Sequence, residues 1–245
     1  MLEGMYSAAS GMAAQQQRID AVSNDLANVN TTGYKRVRVA FRDLLYTQPG
    51  PGAARGVAAG AGAAATQVGR TSDQGALQDT GRPLDFAIEG AGFVQVRDAN
   101  GRVLLTRDGS LQRRADGRLV TSSGMDTGVR VPRTISDDDV HILSDGTVRS
   151  NAAVYGRLRV VGVRAPDGLQ AMGDNDFLPT AASGAPAPLP GGTATALRQH
   201  VLEGSNVDLA TAMTDLIDAQ RGYEMASKAI NTQDRLYEIA NQVKR

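Results

Sequence analysis

The residues able to do chemistry are few and widely spaced. The two histidines, His141 and His200, lie in different segments, and there is no cysteine in the chain. A His/Cys metal site is therefore out, and a Ser-His-Asp triad would have to be assembled from remote pieces. Asp137-Asp138-Asp139 has the charge to hold a cation, but a charge run ahead of a strand reads first as a solvated turn. Asp174-Asn175-Asp176 has some character of a calcium loop, yet lacks the glycine and the closing glutamate at loop spacing. Gly90-Ala91-Gly92 is too short, and in the wrong context, for a phosphate cradle. No catalytic, cofactor-binding or metal-binding residue is assigned, and the chain does not read as an enzyme.

Composition narrows the classes further. Acidic and basic residues are equal in number, 26 each, so no net field favours nucleic acid or anionic lipid. Nearly all the positive charge is arginine; the lysines are Lys35, Lys228 and Lys244, which reads as composition rather than function. With no Trp and few aromatics, a large aromatic-lined pocket for a small-molecule substrate is not expected. No apolar run approaches the roughly 18 residues of a spanning helix, and the first residues lack the layout of a cleaved signal peptide.

What the chain does hold is two long amphipathic patterns, one at each end. From Leu209 the apolar positions run Leu209, Ala212, Leu216, Ala219, Tyr223, Ala226, Ile230, then Tyr237 and Ala240, a 3-4 spacing with large residues at one seam position and mostly alanine at the other. A helix over about Val207–Val243 is predicted, with Ser205 or Asn206 as its cap and Asp208 in its first turn. Tyr223 and Tyr237 read as seam residues rather than ligand contacts. At the other end, Met5, Met12, Ile19 and Leu26 recur every seven residues, with Ala8, Gln15, Val22 and Val29 beside them. Gln16, Gln17, Arg18, Asp20, Asn24 and Asp25 make the polar face, and Asn30-Thr31-Thr32-Gly33 stops the helix. The seams either close one chain on itself or serve assembly between subunits; the second reading is the one adopted.

Between the helices the period changes. Tyr34–Tyr46 is mixed, and residues 47–66 are a Gly/Ala/Pro-rich linker. From about Gln67 the period is two: Phe86 and Ile88, then Phe93, Val94 and Val96, then short apolar runs separated by Asn-Gly and Asp-Gly turns at Asn100-Gly101, Asp108-Gly109, Asp116-Gly117 and Asp145-Gly146, and finally Leu158–Val163. Thr180–Gly192 is again Ala/Gly/Pro-rich and loops towards the last helix. The expected fold is α+β. An antiparallel β domain (67–202) is inserted between terminal helical segments (1–46 and 203–245) that form a coiled-coil-like stalk.

Ser23-Asn24-Asp25-Leu26-Ala27-Asn28-Val29-Asn30-Thr31-Thr32-Gly33-Tyr34-Lys35 resembles the N-terminal signature of the bacterial flagellar rod and hook proteins. Leu202-Glu203-Gly204-Ser205-Asn206-Val207-Asp208, followed by Ile217-Asp218-Ala219-Gln220-Arg221-Gly222-Tyr223-Glu224, resembles the same family's closing segment. Ile88–Phe93, Thr106–Ser110 and Gly117–Val120 agree as well. There is no room for the larger extra domain of hook subunits, so the distal rod type is nearest and the proximal-rod type second. The alternatives are a hook-type or other axial subunit, or a secreted binding module built on the β domain.

The resemblance implies a structural subunit, exported through the flagellar export apparatus without a cleaved signal peptide. Its partners would be copies of itself and other axial proteins, the proximal rod and the hook, with no nucleic acid, no cofactor and no small-molecule substrate. It also implies recognition roles for the matched residues Asn28, Asn30, Thr31, Gly33, Tyr34, Lys35, Ser205, Asn206, Gln220, Arg221, Tyr223 and Glu224. Leu26→Asp or Leu216→Asp is expected to block assembly by placing a charge in the seam. Electron microscopy of basal bodies from strains carrying either variant checks this, and rods of normal length would count against the seam.

Overall fold

The computed structural model describes residues 2–44, 62–151, 153–189 and 195–243, apart from the side chains of Leu2, Glu3, Tyr237, Ala240, Asn241 and Val243. Most of the expected linker, residues 47–61, lies outside these residues, as do 190–192. Two helices bracket an antiparallel β region, the α+β arrangement expected from the change of period. By contacts the chain divides into two compact units. The helical unit holds the described residues of Met1–Ala27, Val37–Val68 and Asp208–Arg245; the β unit holds Asn28–Arg36 and Gly69–Val207. Both boundaries therefore shift from those expected. Residues 28–36 and 203–207 fold with the strands, and Ala63–Thr66, expected as linker, begin a strand, Ala63–Arg70, that pairs with Val37–Asp43.

In the helical unit α1 spans Leu2–Ala27 and α2 spans Leu209–Val243, about 39 and 52 Å at 1.5 Å per residue. α1 stops before the predicted Asn30. Asn28 supplies the alternative local bonds, its carbonyl accepting from the Thr31 N–H and its Oδ1 from the Thr31 hydroxyl, both at 3.1 Å. α2 is capped by Asp208, not by Ser205 or Asn206. The Asp208 carboxylate accepts from the Thr211 hydroxyl at 2.5 Å and the Thr211 N–H at 2.8 Å, and these bonds hold its pKa below the ordinary range. Asp25, expected on the polar face, is buried and accepts from the Val37 N–H at 3.0 Å, which anchors the start of that strand.

The β unit is built around a nine-stranded antiparallel sheet. Its main path runs Gln170–Gly173, Asp176–Leu178, Val103–Thr106, Phe93–Arg97, Asp126–Arg130, Arg118–Thr121 and Leu111–Arg113. The Asn-Gly hairpin forms as expected, with Val96 opposite Leu104 and Asp98 Oδ1 accepting from the N–H groups of Asn100 and Arg102. Alternate residues Val94, Val96, Leu104, Leu119 and Val129 point into one core with Phe86 and Ile88. The Leu158–Val163 run is not one strand: only Val160–Gly162 pairs, while Leu158 is buried in the core and donates its N–H to the Gly146 carbonyl.

Phe86–Gly90 and Phe93–Arg97 do not form a hairpin with each other. Phe86–Gly90 pairs instead with Thr195–Gln199, Ile88 facing Leu197, and Leu77–Asp79 pairs with Val201–Glu203. His200 makes the tight turn between Thr195–Gln199 and Val201–Glu203 at φ 64°. Two strands shortly before α2, Thr195–Gln199 and Val201–Glu203, thus belong to the β unit.

Asp176 is an unusual polar group in the β unit. It is buried, one oxygen accepting from Ser123 Oγ at 3.0 Å and the other lacking a hydrogen-bond partner. Burial pushes its carboxyl up, and the charges of Asp108 and Asp174 add to the rise. A raised folded pKa gives stability that is full below the unfolded value and is lost as pH rises through the folded one. Asp176→Asn, which mimics the neutral form, should therefore raise Tm at pH 7 and give no advantage near pH 4. Melting curves across that range check this; an equal difference at every pH would contradict it.

Candidate assembly site

The helices pack antiparallel. Arg18 Nη2 meets Asp215 Oδ1 at 2.8 Å, a Cβ at Gly222 would lie 2.9 Å from Gln15, and one at Gly4 would lie 2.7 Å from Gln233. Of the predicted seam, Val22, Ala212 and Ala219 are buried, together with Ala14 and Ala21. Met5, Met12, Ile19, Leu26, Leu216, Ala226 and Ile230 are half-buried, and Leu209 and Tyr223 are exposed. Val29 is half-buried in the β unit, since α1 has already ended. The Tyr237 and Ala240 side chains lie outside the described residues.

The fully buried part of α2 is thus alanine, and most of its larger apolar residues lie outside it. Leu209, Met213, Ile217, Met225, Leu236 and Ile239 are exposed. Five of these six were absent from the predicted seam. The signal was available, because Met225, Ala229, Thr232, Leu236 and Ile239 repeat a 4-3 spacing on a second face.

The matched motif divides between the two units. Gln220, Arg221 and Glu224 stand exposed on α2, whereas Asn28, Asn30, Thr31, Gly33, Tyr34, Lys35, Ser205 and Asn206 belong to the β unit. There the two ends of the motif meet at Glu203. Its carboxylate is fully buried and accepts from Lys35 Nζ at 2.5 Å, the Gly75 N–H at 2.9 Å and Arg107 Nη1 at 3.1 Å. Its backbone carbonyl takes the Gly33 N–H at 2.7 Å. Gly33 has φ 68°, and a Cβ there would lie 2.9 Å from the Arg107 carbonyl carbon, so glycine suits both the turn and the approach.

Asn206 adds a second tie, accepting from the Arg36 N–H at 2.8 Å and donating to Thr71 Oγ1 at 2.8 Å and the Asp73 carbonyl at 3.0 Å. Tyr34 is buried, with the Arg70 guanidinium 5.0 Å from its ring centre.

Arg107 completes the knot. Its Nε and Nη2 donate to the carbonyls of Gly92 and Gly90, both at 2.9 Å, while Nη1 bonds Glu203. The glycine pair weighed as a phosphate cradle is the reverse of one: positive φ at Gly90 and Gly92 accompanies carbonyl oxygens, not N–H groups, turned on a cation. Burial lowers the Lys35 pKa, opposed by its bond to Glu203. Neither Arg107 nor Glu203 was assigned a role from sequence. The clue was Lys35 itself, a lysine in a chain that otherwise uses arginine almost throughout.

The other chemistry-bearing residues do not converge. Asp137 pairs with Arg113 at 2.7 Å, Asp174 and Asn175 form a positive-φ turn, His141 is exposed on a short strand, and His200 lies against the Arg82 carbonyl.

Terminal helices thus flank a β unit in the chain, and the two ends of the motif are tied together inside that unit. Three family profiles match in order: "Flagella basal body rod protein" over residues 5–35, "Flagellar hook protein FlgE/F/G D1 domain" over 87–150, and "Flagellar basal body rod FlgEFG protein C-terminal" over 198–243. The chain is 37% identical to the flagellar basal-body rod protein FlgG of Caulobacter vibrioides, over 99% of this chain and 100% of that protein. It is 40% identical to FlgG of Agrobacterium fabrum, over 98% of each, and 39% identical to FlgG of Borreliella burgdorferi, over 100% of each. The chain belongs to the flagellar basal-body rod protein family. Each profile supplies one member of the knot: Lys35, Arg107 and Glu203.

Glu203→Ala strands two buried cations and should cost about 3–5 kcal/mol. Urea unfolding measures it, with Lys35→Met in the same background recovering part of the loss. A loss below about 1 kcal/mol, the scale of a surface pair, would sink the assignment.

Proposed function

We propose that the chain is a structural subunit of the flagellar basal-body rod, of the distal type, polymerising helically through α1 and α2 to carry torque between motor and hook. It reaches the rod through the flagellar export apparatus, and its neighbours are copies of itself and the adjoining axial proteins. Its helices pack with those of other copies as a coiled-coil-like stalk. Leu209, Leu216, Tyr223 and Ile230 of the predicted seam contribute there, joined by the outward Met213, Ile217, Met225, Leu236 and Ile239.

The observation that carries this reading is the distribution of size on α2: Ala212 and Ala219 are buried, Leu216 and Ile230 only half-buried, and Met213, Ile217, Met225, Leu236 and Ile239 are left facing water. A row of exposed apolar residues on a long helix is an interaction surface. Contacts between unlike surfaces of identical subunits do not close, and so propagate a filament. A hook-type axial subunit is the second reading, favoured only by the match over the β unit.

Basal bodies from a strain lacking this gene should show missing or truncated rods. The full chain should restore them, and a chain ending at Val207 should not, although it keeps every strand and Glu203. Electron microscopy of purified basal bodies reads both results and locates the defect along the axis. Intact rods and normal motility without the gene would overturn the reading.

A further inference from the structure

The β unit carries a groove of about 400 Å³ whose walls include Arg97, Arg157 and Arg159. Gln95 and Thr127 also line it, and a second hollow of about 620 Å³ shares Gln95, Arg157 and Arg159. The nearby carboxylates are occupied. Asp126 stands opposite Arg97 in the sheet but is bound by Arg118 at 2.7 Å. Asp145 accepts from the N–H and the hydroxyl of Thr147, at 2.9 and 2.8 Å. Arg157 spends its Nε on the Asp145 carbonyl at 2.8 Å. Arg97 and Arg159 are exposed and make no ion pair among the described residues. The groove thus presents guanidinium forks with free donors, a geometry that suits carboxylates.

The same unit carries the complementary surface. In the 3-10 turn Asp137–Asp139, Asp137 is tied to Arg113, while Asp138 and Asp139 are exposed and their carboxylates make no ion pair among the described residues. The turn lies beside Leu111–Arg113, three strands from Phe93–Arg97 in the sheet order. At about 4.8 Å per strand that is roughly 14 Å, too far for the two surfaces of one chain to meet. Two complementary, non-overlapping patches on one subunit are what a head-to-tail contact requires.

We infer that the Arg97–Arg159 groove receives Asp138 and Asp139 of a neighbouring copy, so that β units contact one another directly in the assembly. This rests on the rod-subunit reading. The contact is exposed and electrostatic, so it sets register and weakens with salt.

The test uses the full chain in the deletion strain. Arg97→Glu with Arg159→Glu, or Asp138→Arg with Asp139→Arg, should cut the number of complete rods by roughly tenfold or more. All four changes together restore the complementarity and should restore rods, with circular dichroism confirming that each variant folds. Either pair building rods at the normal number would overturn the contact, as would a folded four-change chain that builds none. Heparin binding by the unaltered chain, lost in the arginine variant and without rescue by the four changes, would overturn it in favour of an anionic ligand. Because the chain has no cysteine, Asp138→Cys with Arg159→Cys gives an independent readout. Mild oxidation of purified basal bodies should yield a ladder of cross-linked subunits, and monomer alone would count against the inference. If the unaltered chain restores no rods, the rod reading fails first and takes this contact with it.

Discussion

A carboxylate with no access to water, Glu203, holds the β unit together. Alone in the core it would be severely penalised; Lys35 and Arg107 make it tolerable, and it does the same for them. The triad carries two cations against one anion, and backbone carbonyls of Asp73, Gly90 and Gly92 take up the excess. Much local geometry follows from that requirement. Gly90 and Gly92 adopt positive φ where their carbonyls meet Arg107, Gly33 is packed against the Arg107 backbone, and the Gly75 N–H reaches Glu203. Lys35 follows shortly after α1 in sequence and Glu203 shortly precedes α2. The segments leading to both helices are thus bound within one core.

The helices follow a different logic. Alanine and glycine permit a close antiparallel approach but bury little apolar area, so the pair gains less from the hydrophobic effect than its length suggests. Met213, Ile217, Met225, Leu236 and Ile239 remain in water. An arrangement that leaves its largest apolar groups outside is stable in proportion to what covers them. The β unit shows the opposite pattern, with Phe86, Ile88, Leu105, Leu111 and Leu119 buried almost completely.

Local signals were legible in the sequence wherever one segment decides its own conformation. The 3-4 and seven-residue spacings located both helices, because helical period depends on near neighbours. Asp98-Ala99-Asn100-Gly101 fixed its hairpin through bonds within the turn. The strands Val201–Glu203 and Leu77–Asp79 were not legible, being three residues each and defined by partners more than a hundred positions away. The cap of α2 differs from the expected one for a related reason. Ser205, Asn206 and Asp208 are all good capping residues, and the choice fell to Asp208 because Asn206 is engaged by Arg36, Thr71 and Asp73.

By itself, then, the amino-acid sequence determined two terminal helices, a β region between them, the turns inside it and membership of a rod and hook family. Each depends on spacing, turn chemistry or motif order, which survive when the chain is read one residue at a time. Only the tertiary structure decided that residues 28–36 and 203–207 belong with the strands, and that Lys35, Arg107 and Glu203 form one buried group. It also decided which face of α2 is covered within the chain. A buried charge can be placed only by the partners that neutralise it, and here those partners come from three segments that meet only in the folded chain.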